Sequence, residues 1–166
     1  MTEQTGDKRV LLTIVLALFS GIIGSLVSPF FQERLTNEEL RVAQIEEVSK
    51  NLQQAHMSMS LQAWRLTIAS KATAQELNSI HDAWLFSYRE VTKWLELINE
   101  YFPDSAFVEN YRQSISEFYE LENKEFGLAD SVNRPKGQKL IAAFEKDYMV
   151  LRRYIYKNTK VSLFSI

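Results

Sequence analysis

Few side chains in this chain suit acid–base or metal chemistry, and their spacing does not bring them together. There are two histidines, His56 and His81, and no cysteine. Disulfide frameworks, thiolate zinc sites and thiol nucleophiles are therefore excluded. A di-metal carboxylate bundle places a glutamate three residues before a ligating histidine on two helices. Here those positions hold Gln53 and Asn78. No H-x-x-H or H-E-x-x-H pair, serine elbow, glycine-rich phosphate loop or dinucleotide fingerprint occurs. Carboxylates pair as Glu46/Glu47 and Glu120/Glu122, with Asp130 near Glu125. Neighbours on a helix point apart, and charge runs of this kind form solvated faces. His81, beside Trp84 on an apolar stripe, and His56, at the edge of another, read as hydrogen-bonded core residues. No catalytic residue, metal ligand or cofactor is predicted, and the protein is expected not to be an enzyme.

The positioning elements start with an uncharged apolar run, Val10–Phe31. A bilayer-spanning helix needs about 20 such residues, whereas a signal-peptide core is only about 7–15 long. The run is therefore predicted to be an uncleaved signal anchor, a single transmembrane helix. Lys8 and Arg9 favour a cytoplasmic N-terminus and an exported domain, although Arg34 and Arg41 follow closely on the other side. Ala17, Ser20, Gly21, Gly24, Ser25 and Ser28 fall on one stripe at three-and-four spacing, the pattern that lets helices approach closely in lipid.

Four amphipathic segments follow. The first is predicted to start at the capping box Thr36–Glu39 and to reach about Ser70, with Pro29 bending or breaking the joint to the span. Ile45, Leu52, Met59 and Leu66 recur every seven residues on it, as in a coiled coil. A second row, Met57, Leu61, Trp64 and Ile68, lies nearly opposite, so this helix is expected to be covered on two faces, the second row docking a partner. A second capping box, Thr73–Glu76, opens a helix predicted to end at Tyr101–Phe102 before Pro103. Asp104 or Ser105 caps the third, which carries Phe107, Val108, Tyr111, Ile115 and Phe118 and is expected to close at Phe126–Gly127. After a turn-rich loop, the fourth runs from about Pro135 to Asn158 with Ile141, Phe144, Tyr148, Leu151 and Ile155 inward.

The predicted fold is all-α: a short polar tail (1–9), a transmembrane helix (10–31), an antiparallel bundle of about four helices, the first of them long (32–160), and an apolar C-terminal tail (161–166). Up-down-up-down connectivity returns Arg152, Arg153, Lys157 and Lys160 toward the bilayer, where basic residues among tyrosines suit anionic headgroups. With a net charge of −2 and no basic stripe, nucleic acid is not expected as a partner. The partners expected are the lipid bilayer and another membrane or envelope protein, or a second copy of the chain. The function predicted is an interaction, scaffold or accessory subunit. The alternative is a membrane-anchored sensor holding a small ligand in an aromatic pocket of the bundle.

Overall fold

A computed structural model describes residues 4–69, 72–123 and 133–164, with side chains from residue 33 onward except Leu35 and residues 160–164. It is all-α: α1 (Gln4–Ile68), α2 (Ala74–Tyr101), α3 (Ala106–Asn123) and α4 (Arg134–Phe164), with no strand among the described residues. The chain divides into two compact units, Met1–Arg41 and Val42–Ile166. In the first, the described side chains include an Arg41–Glu38 ion pair one turn apart, at 4.0 Å.

The second unit is a four-helix bundle, and its side-chain pairs give the direction of each helix. Gln44 accepts from the Tyr101 hydroxyl at 3.3 Å and Ser58 meets Ser87 at 2.8 Å, so α2 descends as α1 rises. Trp84 packs on Phe118 and His81 pairs with Glu122, which makes α3 antiparallel to α2. Phe107 lies against Tyr154 and Phe118 against Phe144, reversing α4 on α3. His56 stacks on Tyr148 and Ser60 donates to Glu145, which closes the square from α4 back to α1. The last turns of α4 therefore share one end of the bundle with Val42–Ile45.

The heptad rows fill the core. Ile45, Leu52, Met59 and Leu66 are buried, as are Trp84, Val91 and Ile98 on α2 and all five inward residues named for α4. Ala63, which the rows do not single out, is fully buried beside them. Phe107, placed with the inward face of α3, is instead partly exposed at 38%. At mid-height every helix contributes to one polar layer: His56–Tyr111, Ser58–Ser87, Ser60–Glu145 and Ser114–Asp147.

Several boundaries differ from the sequence expectation. The helical backbone passes through both Pro29 and Thr36–Glu39 as one element. In an uninterrupted helix those amides bond to carbonyls four residues back, so a capping box has no orphan donors to serve. Ser105 occupies the cap position of α3, its carbonyl accepting from Val108 and Glu109, yet its hydroxyl is buried without a partner among the described residues. Asp104 takes φ 57, a left-handed turn conformation that aspartate tolerates, between Pro103 and that cap. Helix α4 runs on through residues 161–164, taking in most of the expected tail. The expected close of α3 at Phe126–Gly127 lies outside the described residues.

The start of α2 matches the sequence reading. Thr73 Oγ1 accepts from the Glu76 amide at 3.3 Å, and Glu76 Oε2 accepts from the Thr73 amide at 2.7 Å. The Thr73 amide first, and then the Thr73 hydroxyl, which donates to the same oxygen at 2.9 Å, hold the Glu76 carboxyl below its ordinary pKa. Thr73→Ala is expected to lower the melting temperature by about 3 °C, measured by circular dichroism, because the Glu76 amide loses its side-chain acceptor.

Candidate functional site: the face shared by α1 and α4

Helix α1 is apolar on two faces, and only one of them is covered. While Leu52, Met59 and Leu66 are almost fully buried, Met57 is 61% exposed, Leu61 52%, Trp64 37% and Ile68 65%. The steps of four, three and four residues put this second row on one strip beside α4. Trp64 is tied to that neighbour, its Nε1 donating to Glu145 Oε1 at 3.3 Å, while Ser60 donates to the same oxygen at 2.5 Å.

Between the two helices runs a groove of about 390 Å³, lined by Gln53, His56, Met57, Ser60, Glu145, Tyr148, Met149 and Arg152. Through Gln53 and Arg152 it adjoins a second cavity of about 210 Å³ that reaches Ile45 and Thr159. Met57 and Met149 present exposed thioethers, which adapt readily to an incoming apolar surface.

The groove floor is polar but poorly suited to proton transfer. His56 Nδ1 lies 2.8 Å from the Tyr111 hydroxyl, and the imidazole stacks on Tyr148 with centroids 3.7 Å apart at 16°. Burial lowers the His56 pKa to about 4, against an opposing pull from Glu145. Burial also raises Tyr111 well above the usual phenol value and Tyr148 to about 12, with Arg152 opposing the latter. All three rings are therefore neutral near pH 7, and the arrangement works as a hydrogen-bonded support.

The other histidine shows what the sequence did not reveal. His81 Nδ1 meets Glu122 Oε1 at 3.1 Å between α2 and α3, and Glu122 is 1% exposed. Burial pushes the Glu122 carboxyl above its ordinary range, and the hydrogen bond and charge of His81 oppose that. Residues Glu120 and Glu122 read alike in sequence as a solvated face, but only Glu120 is exposed. The available signal was register: His81 and Glu122 lie at similar sequence distances on either side of the Pro103 turn. The partners of the polar layer on α3 and α4, Ser114, Glu145 and Asp147, were missed for the same reason. Among the described residues no group of three or more His, Asp or Glu side chains is placed to hold a metal ion.

Of the other sites predicted from sequence, Arg152, Arg153 and Lys157 are exposed on the last turns of α4, at the end of the bundle shared with Val42. The side chain of Lys160 lies outside the described residues, as do those of Ala17, Ser20, Gly21, Gly24, Ser25 and Ser28. No helix among the described residues is long and apolar enough to cross a membrane. The predicted span, residues 10–31, falls where side chains are not described. The chain matches no family model, no curated protein and no solved structure.

The aromatic rings of α2 and α3 stack on one another. Trp84 contacts Tyr88, Phe118 and Tyr119 at centroid distances of 5.6, 5.3 and 6.0 Å, and Tyr88 stacks on Tyr119 at 4.8 Å. These rings pack against one another on the α2–α3 side, away from the groove.

Proposed function

We propose that this chain is a non-enzymatic, single-pass membrane-anchored protein whose bundle serves as an interaction, scaffold or accessory subunit for another membrane or envelope protein. The observation that carries this reading is the exposed row Met57, Leu61, Trp64 and Ile68. Single exposed apolar residues are ordinary, but four at i, i+4, i+7 and i+11 make a continuous strip. That is the spacing by which helices dock, and each such side chain, already partly buried, gains part of the about 1.5–3 kcal/mol of full burial when it is covered. The anchor rests on the uncharged length of Val10–Phe31, and its small-residue stripe supplies a second contact within the bilayer. The orientation proposed keeps the N-terminus cytoplasmic and exports the bundle.

The test is quantitative co-purification of cross-linked partner from membranes by the full-length chain. Leu61→Asp and Trp64→Ala are expected to leave the melting temperature within a few degrees of wild type while cutting partner recovery about thirtyfold, the effect of losing a docking hot spot. Unchanged recovery with both variants would remove the docking role.

A further inference from the structure

The smaller cavity, at the end of the bundle shared by Val42 and the last turns of α4, has a chemistry that the docking row lacks. Its floor is formed by the buried isoleucines Ile45 and Ile155, and two cations from different helices, Lys50 and Arg152, flank it. Both are exposed, and among the described residues neither has a carboxylate within ion-pair distance. The Ser49 hydroxyl lines the same space as a hydrogen-bond donor.

We infer that this cavity binds a phosphodiester carrying an apolar substituent, the phosphate held by Lys50 and Arg152 and the apolar part laid on Ile45 and Ile155. Charge selects the diester. Glu46 also lines the cavity, so two positive charges and one negative leave a net of +1. That matches a singly charged diester better than a monoester, which carries about −1.5 to −2 near pH 7. Size limits what enters: about 210 Å³ is below the roughly 300–1,000 Å³ of drug-sized pockets and admits the phosphate with only a short stretch of its substituents. Arginine supplies a planar fork to two phosphate oxygens and lysine a point charge, a division of labour suited to an anion approached from two helices. Such a ligand is either a membrane phospholipid or a free phosphodiester metabolite. The phosphodiester chemistry does not depend on the docking role proposed above; only the lipid source rests on the membrane anchor.

The experiment is calorimetric titration of the full-length chain in uncharged detergent with three probes: dihexanoyl-phosphatidylglycerol, glycerophosphoglycerol and inorganic phosphate. The short-chain lipid is expected to bind saturably, with Lys50→Gln and Arg152→Gln each weakening it about tenfold through loss of a charge-assisted contact. Lys139→Gln, an exposed change elsewhere on α4, is expected to bind as wild type. Weaker binding of glycerophosphoglycerol supports the apolar contact and the lipid source, and equal binding overturns the apolar part of the assignment, leaving a free polar phosphodiester. Preference for inorganic phosphate overturns the diester assignment. Heats that do not saturate, or that persist unchanged in both cavity variants, reflect partition into micelles and overturn the proposal. Leu61→Asp leaves the cavity intact and is expected to bind the lipid normally, so failure of docking and failure of this site are read separately.

Discussion

Trp84→Ala is expected to cost about 3–5 kcal/mol of unfolding free energy, the range for removing a large aromatic from a closed core. The indole is fully buried and packs on three further aromatic rings, so little can relax into the space it leaves. Since a domain of this size is stable by only about 5–15 kcal/mol in total, the variant should sit near the edge of folding. Urea denaturation with an unchanged m-value checks this, and a loss below about 1 kcal/mol would mean that the α2–α3 aromatic cluster repacks freely. Trp84→Phe should lose much less. The indole Nε1 is buried without a partner among the described residues, so discarding it breaks no hydrogen bond and leaves mainly the cost of reduced volume.

The second large effect is acid destabilisation through His56. Its folded pKa is about 4, against 6.5 for the free side chain. The unfolded chain therefore binds the extra proton first as pH falls. Stability linked to this residue is fully present above pH 6.5 and is lost progressively toward pH 4, by about 3 kcal/mol. Glu122 works in the opposite sense. Its folded pKa is raised, so the stability it contributes is present in acid and disappears as pH rises through the folded value. The wild-type profile sums the two, and a pH series of urea melts on wild type and His56→Gln separates them. The variant is expected to show a shallower acid loss between pH 6.5 and 4; equal slopes would show that the ring titrates normally in the fold.

How much could be read from sequence follows from the range over which each signal acts. Heptad rows are local, and Ile45, Leu52, Met59 and Leu66 are buried as their spacing required. The Thr73–Glu76 box and the Pro103 stop are also local and sit where expected. Thr36–Glu39 has the same letters as a box, yet the helix passes straight through it. A cap is meaningful only where the preceding residues leave the helix, and four residues do not contain that fact. Glu122 and Glu145 are ordinary helix-surface letters until antiparallel register sets His81 opposite one and Ser60 opposite the other. The exposed row on α1 was visible as a pattern, but its exposure was not, because a second apolar face looks the same whether a neighbour covers it or water does.

The mid-height polar layer has a consequence for alignment. If any one helix slid by a turn, about 5.4 Å, its layer members would no longer face their partners. A slip of α3, for example, would cost His56, Tyr111, Ser114 and Asp147 a bond each, at about 1–3 kcal/mol for every buried group stranded. The layer thus works like the notch on a key: it adds little to the strength of the bundle, but it leaves one vertical setting in which Met57, Leu61, Trp64 and Ile68 lie beside Glu145 and Met149.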